Sequence, residues 1–321
     1  MIISILLLIT GFAVLIKGAD FLVNGASSIA KKNGISSIAI GLTVVAFGTS
    51  LPELIVSLFA ALNGKSDASF GNVLGSNIFN LLFILGVAGI IYPLVVQKNT
   101  VKYEVPLSLL AAGLMFVLVN DNLILGAKEN SLSRVDSVIL MIFFAFFLYY
   151  IYRTMSNSSE IEEGEPIKIY RNVISIGFII LGIAFLVGGG KLVIDNAIEI
   201  AMHFGLSERF IGLTILAVGT SLPELATSAV AAYRRNTDIA IGNVVGSNIF
   251  NIFLILSVTG FVHPINYNPI MNMDIYILMG STVLLMIFMF TLNTNKLDRW
   301  EAAIMLVLYL AYTLFLLGND A

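Results

Sequence analysis

The chain contains two pairs of nearly identical segments. GLTVVAFGTSLPELIVS begins at Gly41 and GLTILAVGTSLPELATS begins at Gly212, and twelve of the seventeen positions are identical. GNVLGSNIFNLLFILG begins at Gly71 and GNVVGSNIFNIFLILS begins at Gly242, and eleven of the sixteen positions are identical. Both pairs have the same offset of 171 residues. A constant offset indicates that a whole half of the chain has been duplicated, rather than two unrelated motifs.

Apolar stretches long enough to cross a lipid bilayer fill most of the sequence. Hydrophobic residues make up 58% of the 321 residues and charged residues only 12%, whereas a soluble domain has roughly 25% charged residues. A spanning helix needs about 20 apolar residues. We predict ten spans, near 2–29, 36–62, 71–92, 104–120, 133–152, 172–201, 208–233, 242–262, 272–292 and 298–317. The sequence therefore predicts an all-α, multi-pass membrane protein.

Charge and cysteine content exclude several classes of function. The net charge is −3 and no basic cluster indicates a nucleic-acid partner. The chain has no cysteine, which excludes disulfides, thiol catalysis and cysteine metal sites. The lipid bilayer is the expected partner, and a monomer is the working expectation for the oligomeric state.

The two copies are predicted to be inverted with respect to each other. Five spans separate equivalent points, and an odd number makes the second copy enter the membrane from the opposite side, as in many secondary transporters. The halves are 1–154 and 171–321, joined by an acidic linker at 155–170. Placing this linker in the cytoplasm puts eleven of the seventeen Lys and Arg residues on that side, four outside and two within spans. This distribution predicts that both termini lie outside the cell membrane.

The repeated GTSLPE motif predicts a broken helix in mid-span. Pro52 cannot donate a backbone hydrogen bond, and its ring pushes away the carbonyl of Gly48. Polar groups freed in this way are tolerated at bilayer depth only inside protein or beside a cavity. A cation can serve as their partner, with the hydroxyls of Thr49 and Ser50 nearby. The same argument applies to Gly219, Thr220, Ser221 and Pro223 in the second half.

Two acidic residues stand in these motifs, Glu53 and Glu224. A charged side chain at bilayer depth costs about 2.5 to 3.5 kcal/mol on insertion scales and therefore indicates a functional site. Because the two glutamates occupy equivalent points of inverted halves, the pseudo-two-fold axis is expected to bring them together. Two neighbouring carboxylates repel each other unless a cation or proton lies between them.

The second motif supplies neutral oxygen atoms for the same site. Ser76 and Asn80 are four residues apart and share one helix face. The candidate donors of this motif are Ser76, Asn77, Asn80, Ser247, Asn248 and Asn251. Ca²⁺ takes six to eight hard oxygen ligands, and the absence of histidine and cysteine from the cluster argues against zinc or copper. The residues alone therefore predict a cation site, with Ca²⁺ as the best candidate.

At these motifs the chain resembles the sodium/calcium exchanger family, within the cation/calcium antiporter superfamily. The resemblance covers nearly the whole chain and implies exchange of Ca²⁺ for Na⁺ by alternating access, without ATP or a cofactor. It implies that Glu53 and Glu224 are the central ligands and that the first and sixth spans form a sliding gate. It further implies flanking monovalent sites at Thr49, Ser50, Thr220, Ser221 and the carbonyls of Ala46 and Ala217, with the site completed by Ser76, Ser247, Asn80 and Asn251.

One position departs from the family pattern and leaves the coupling ion open. Several prokaryotic sodium/calcium exchangers carry aspartate at the position of Asn251, whereas asparagine at both Asn80 and Asn251 resembles the proton/calcium branch. Two carboxylates balance one Ca²⁺, two Na⁺ or two protons. An H⁺/Ca²⁺ antiporter is therefore the alternative to Na⁺/Ca²⁺ exchange.

The sequence fits two other classes of function less well than an antiporter. A cation channel is compatible with inverted repeats, but a tight oxygen cage with two carboxylates suits occlusion better than rapid flow. An intramembrane enzyme is disfavoured because every polar motif is duplicated, while a catalytic acid and base need dissimilar environments.

Along the first span, Lys17 and Asp20 are spaced to pair with each other.

Overall fold

The computed structural model describes residues 2–126, 128–154, 168–203, 217–291 and 295–319. The α-helices are α1 (Ile2–Asn33), α2 (Ser37–Ile40), α3 (Ala46–Thr49), α4 (Leu51–Leu62), α5 (Ser66–Ile78), α6 (Leu85–Ile91), α7 (Val105–Val119), α8 (Asp121–Leu125), α9 (Arg134–Thr154), α10 (Asn172–His203), α11 (Ala217–Gly219), α12 (Leu222–Tyr233), α13 (Thr237–Phe250), α14 (Ser257–Val262), α15 (Asn272–Phe288) and α16 (Arg299–Asn319). Single-turn segments connect several of them, namely the π-helical Gly41–Val45, Phe79–Ile84, Thr100–Glu104 and Asn251–Leu256 and the 3₁₀ turn Pro269–Met271.

The helices match the predicted spans closely. In the described part of the chain, eight are long and apolar enough to cross a membrane, and the pair Ser37–Thr49 and Leu51–Leu62, bent by 46°, makes nine. The one remaining predicted span, the seventh at 208–233, is described only from residue 217, where α11 and α12 lie. The predicted linker at 155–170 falls mostly outside the described residues. The helical membrane class is therefore confirmed, while the count of ten remains a prediction.

The core of the protein is formed by two equivalent helices that carry the second motif. In the most apolar part of Thr237–Val262, 94% of the residues are buried, and 72% in Ser66–Ile91, against 17% in Arg299–Leu316. Both central helices begin five residues before the predicted starts at 71 and 242, with polar first turns that contain Asp67 and Asp238. Asp238 is buried in the protein, whereas Asp67 is exposed.

Four two-residue strands were not predicted from the sequence. β1 (Leu94–Val95) pairs antiparallel with β4 (Lys296–Leu297), and β2 (Ser131–Leu132) pairs antiparallel with β3 (Ile265–Asn266). The fold is therefore all-helical apart from these two short ladders. Each ladder joins one half to the other, since β1 and β2 belong to the first half and β3 and β4 to the second.

Helices α1 and α10 pack against each other through glycine. A Cβ on Gly18 would lie 2.8 Å from the backbone nitrogen of Leu186, and a Cβ on Gly182 would lie 2.7 Å from that of Leu22. Gly11 and Gly189 meet in the same way further along the pair. Adding 171 to 11 and 18 gives 182 and 189, so the two contacts are equivalent in the two halves.

The predicted pairing of Lys17 with Asp20 is wrong. Asp20 instead forms an ion pair with Arg234, which follows α12, and the other arm of this guanidinium donates to Asn24. Asn236 also donates to Ser27, 3.1 Å away. Asp20 therefore pairs with an arginine distant in sequence, and not with the lysine on its own helix that the spacing predicted.

Candidate cation site

The repeated proline motifs break their helices, as predicted. The backbone of Ser50 leaves the helical region at φ −84°, ψ 7° between α3 and α4, and Ser221 does so at φ −89°, ψ 8° between α11 and α12. Pro52 and Pro223 then stand in the first turn of the new helix, where a missing N–H costs nothing. Each break therefore presents a helix N-terminus, which favours a negative group in its first turn.

Glu53 and Glu224 occupy those first turns and are bound by the opposite half. Ser221 donates its hydroxyl to Oε1 of Glu53 and Ser50 donates to Oε1 of Glu224, both at 2.9 Å. The two bonds are equivalent under exchange of the halves. Both carboxyl groups are fully enclosed, with 0% and 1% of their residues exposed. The structure thus brings the two predicted breaks against each other in the interior.

Several buried oxygen atoms of these motifs lack a hydrogen-bond partner among the described residues. They are Oε2 of Glu53, Oε2 of Glu224, Oγ of Ser76, Oδ1 of Asn80 and Oδ1 of Asn251. Neither glutamate forms an ion pair with a described residue. Buried acceptors without donors are costly unless something positive satisfies them. All five atoms belong to residues predicted as ligands.

Asn80 and Asn251 lie where the helices are locally widened. Asn80 is in the π-helical segment Phe79–Ile84 and Asn251 begins the segment Asn251–Leu256. Such bulges are frequent at functional sites because they redirect side chains. Both residues use their amide nitrogens to bind other asparagines, which leaves the side-chain oxygens as the unpaired atoms.

Asn77 and Asn248 differ from the prediction that they supply ligands. Oδ1 of Asn77 accepts from Asn251 at 2.8 Å, and Oδ1 of Asn248 accepts from Asn80 at 3.0 Å. Their oxygens are therefore turned toward protein. The repeat had identified the residues, but helix spacing alone could not show which amides face each other across the halves.

Three further predicted ligands, Ser76, Ser247 and Ala46, are buried. Ser247 donates weakly to Glu224 at 3.4 Å, whereas its counterpart Ser76 has no partner among the described residues. The carbonyl of Ala46 accepts from the Ser50 amide at 3.0 Å. Ala217 is the first residue of α11, and the assignment of both alanine carbonyls as ligands remains a prediction.

Sequence reasoning missed two asparagines that support the glutamates. Asn72 donates to the backbone carbonyl of Glu53 at 3.2 Å and accepts from Thr220 at 3.2 Å. Asn243 likewise donates to the carbonyl of Glu224 at 3.3 Å, and its Oδ1 accepts from the Thr49 hydroxyl at 3.0 Å. The signal was present, because both asparagines follow the first glycine of the repeated GNV motif.

This arrangement suits a small hard cation. The described residues contain no cluster of three or more acidic, histidine or cysteine side chains that could hold a metal. An ion here would be held by two carboxylates and neutral hydroxyl, amide and carbonyl oxygens. That donor set fits Ca²⁺ or Na⁺ rather than a transition metal.

Comparison with known proteins agrees with this chemistry. The model of the family described as "Sodium/calcium exchanger protein" matches residues 3–153 and 174–318. The sodium/calcium exchanger MaX1 of Methanosarcina acetivorans is 32% identical, with 98% of each chain aligned. The inner membrane protein YrbG of Escherichia coli (strain K12) is 36% identical over 84% of this chain and 83% of its own.

A solved structure shares the whole fold. The sodium-calcium exchanger NCX_Mj, soaked with 2.5 mM Na⁺ and 0.1 mM Ca²⁺, superposes with a TM-score of 0.82 at 31% identity and covers 97% of each chain. These relatives are exchangers or membrane proteins, and the match extends over both halves, including the region of the candidate site.

Proposed function

This chain belongs to the sodium/calcium exchanger family, and we propose that it exchanges Ca²⁺ for Na⁺ by alternating access at a site centred on Glu53 and Glu224. The observation that carries this proposal is that five predicted ligands, namely Glu53, Glu224, Ser76, Asn80 and Asn251, each have a buried oxygen without a hydrogen-bond partner among the described residues. The family membership supports a multi-pass antiporter of Ca²⁺ and Na⁺. We also propose that the protein lies in the cell membrane.

Charge balance limits what the site can hold at one time. Two carboxylates neutralise one Ca²⁺, two Na⁺ or two protons, so these loads compete for the same cage. Competition of this kind is what exchange requires, because the site opens to each side of the membrane in turn while it holds one ion or the other. Mutual exclusion would therefore couple Ca²⁺ movement to the counter-ion without ATP.

Two features support the inverted arrangement of ten spans. The ladder of β1 and β4 requires the connections near 95 and 296 to lie on one side of the membrane, and that of β2 and β3 requires the same near 132 and 265. An even number of spans between two connections places them on the same side. With ten spans, six lie between residues 95 and 296 and four between 132 and 265, so both requirements are met. In this topology both termini are outside and the 155–170 linker is cytoplasmic.

Helices α1 and α10 are the proposed gate, and they sit unequally on the two halves. α1 packs along α12, whereas α10 has few close contacts with the equivalent helix α4. Phe59 on α4 is exposed, while its counterpart Val230 on α12 is partly covered. In the proposed topology the end of α12 with Arg234 is cytoplasmic, so this conformation would be closed toward the cytoplasm.

Calcium flux in proteoliposomes with separate Na⁺ and H⁺ gradients tests the proposal. We expect Ca²⁺ uptake to follow an imposed outward Na⁺ gradient and to saturate with Ca²⁺. Uptake driven only by a pH gradient would instead assign the H⁺/Ca²⁺ alternative, which asparagine at both Asn80 and Asn251 favours. Flux that needs no counter-ion on the opposite side would indicate a channel and contradict both.

Asn251→Asp is expected to change the coupling. The substitution keeps the shape of the side chain and introduces a third acidic group beside two buried carboxylates. We expect a change in Na⁺ dependence or in the charge moved per cycle, measured as Ca²⁺ uptake at varied Na⁺ and membrane potential. Unchanged stoichiometry would show that this position is not a coupling site.

Arg234→Ala is expected to loosen the closed side of the gate. Its ion pair with Asp20 is about 30% exposed, and partly exposed pairs contribute about 0.5 to 1 kcal/mol, a shift of about two- to fivefold in population. Because the chain lacks cysteine, a single Ser27→Cys reports opening between α1 and α12. Its labelling rate by a thiol reagent should rise by that factor.

The matched control is Lys296→Ala, which removes a second ion pair, between Lys296 in β4 and Asp298. It should leave the labelling rate of the introduced cysteine unchanged. Equal labelling rates in the Arg234→Ala and parent backgrounds would show that the Arg234–Asp20 ion pair does not stabilise the closed conformation.

A further inference from the structure

Four asparagines of the repeated GSNIFN motif form a network across the two halves. Each of them is at most 1% exposed. Two backbone contacts lie at its centre: the Nδ2 of Asn248 donates to the main-chain carbonyl of Asn77 at 3.3 Å, and the Nδ2 of Asn77 donates to the carbonyl of Asn248 at 3.4 Å. Two side-chain contacts extend it, from Asn80 to Asn248 and from Asn251 to Asn77.

The backbone carbonyls fix the orientation of every amide in this network. A carbonyl can only accept, so the NH₂ group of Asn248 must face the carbonyl of Asn77. Oδ1 of Asn248 is then turned toward Asn80. Asn80 must meet that oxygen with its own NH₂ group, because two oxygens at 3.0 Å would repel each other. The remaining atom, Oδ1 of Asn80, is left facing away from the network.

The same sequence of constraints runs in the other direction. The carbonyl of Asn248 orients the NH₂ of Asn77, whose Oδ1 then receives the NH₂ of Asn251. Oδ1 of Asn251 becomes the outward atom. Both outward oxygens are the buried ones without a partner among the described residues. Each half of the protein thereby orients the predicted ligand of the other half.

We propose that Asn77 and Asn248 are positioning residues that turn the side-chain oxygens of Asn251 and Asn80 toward the cation. This rests on the proposed function of the site. Without the constraint, either outer amide could rotate and present its NH₂ group, which carries partial positive charge and repels a cation. The network therefore keeps the lining of the cage composed of oxygen.

Asn77→Leu tests this role in the purified full-length protein. Leucine has the same branching and the same number of side-chain heavy atoms as asparagine, but it removes both the donor and the acceptor. We expect Ca²⁺ affinity, measured by titration calorimetry with Ca²⁺ alone, to fall by about 10- to 100-fold, the usual effect of losing a group that orients a metal ligand. In transport, KM for Ca²⁺ should rise by more than kcat falls. Asn248→Leu should act equally through Asn80.

A double-mutant cycle separates positioning from general damage. If Asn77 acts through Asn251, then Asn77→Leu should cause no further loss of Ca²⁺ affinity in an Asn251→Ala background. An equal additional loss there would overturn the proposal. If Asn251→Ala weakens binding and Asn77→Leu does not, the positioning role fails and the cation site stands. If Asn251→Ala itself has no effect, this part of the proposed site fails.

The chain provides a control of the same chemistry away from the cage. Asn120 and Asn272 exchange amide hydrogen bonds at 2.9 and 2.8 Å between other helices. Asn120→Leu removes a comparable interhelical amide pair and should leave Ca²⁺ affinity within about twofold of the parent. An equal loss of affinity in Asn120→Leu and Asn77→Leu would mean that both act only through stability and would overturn the proposal.

Discussion

Glu53→Gln and Glu224→Gln are each expected to abolish Ca²⁺ transport while leaving the chain folded. Glutamine preserves the size of the side chain and one oxygen, but it removes half of the negative charge in the proposed cage. A Ca²⁺ ion would then be left with an unbalanced charge in a buried site. Losing one partner of a buried charge pair costs about 3 to 5 kcal/mol, which corresponds to a loss of roughly 100-fold or more.

The fold should tolerate this change better than the function does. Each carboxylate is buried without an ion-pair partner among the described residues, so a neutral amide relieves a desolvation cost in the ion-free protein. Oε1 can remain an acceptor for Ser221 or Ser50. We therefore expect the melting temperature of the purified ion-free protein to be unchanged or raised, and Ca²⁺ uptake into proteoliposomes to fall to background.

Glu104→Gln is the matched control for these variants. Glu104 is also a buried glutamate, but its carboxylate accepts from Tyr150 at 2.6 Å and touches none of the proposed ligands. The same substitution there should retain most of the transport rate. Near-normal uptake by Glu53→Gln or Glu224→Gln, or an equal loss in Glu104→Gln, would refute the central role of the two glutamates.

The parts of the site that sequence could predict are those encoded by local chemistry and by the repeat. Proline four residues after Gly48 predicts a break, and the structure bends at Ser50 as expected. The shared offset predicts that Glu53 and Glu224 meet, and the crossed serine hydrogen bonds agree with this. Both inferences need only backbone rules and the symmetry of the duplication.

The parts that sequence could not predict depend on contacts between distant elements. Spacing along α1 assigned Asp20 to Lys17, but packing of α1 on α12 delivered Arg234 instead. The amide pairings of Asn77 and Asn248 depend on how two central helices cross. The two-residue strands are too short to leave any periodic signal and exist only because loops from opposite halves come together.

Gly182→Val is expected to cause a second large loss of transport, by separating α1 from α10. A Cβ at this position would lie 2.7 Å from the nitrogen and 2.9 Å from the Cα of Leu22, and 2.9 Å from the carbonyl of Gly18. All three are backbone atoms and cannot move aside as a flexible side chain could. Overpacking of this kind typically costs about 1 to 3 kcal/mol.

The effect on transport should exceed the effect on stability if the two helices move as one gate. Valine would force α1 and α10 apart at one of their two equivalent glycine contacts. Movement of one helix would then no longer be transmitted to the other. We expect Ca²⁺ uptake to fall more than tenfold, with a smaller decrease in melting temperature.

Gly188→Val isolates this packing effect from the properties of valine itself. Gly188 is exposed on the same helix, and no described atom lies within 4 Å of the place where its Cβ would be. Both substitutions change the intrinsic helix propensity equally, so only the contact with α1 distinguishes them. Transport by Gly188→Val should remain close to that of the parent. If Gly182→Val transported equally well, the close approach of α1 and α10 would not be required for movement of the gate.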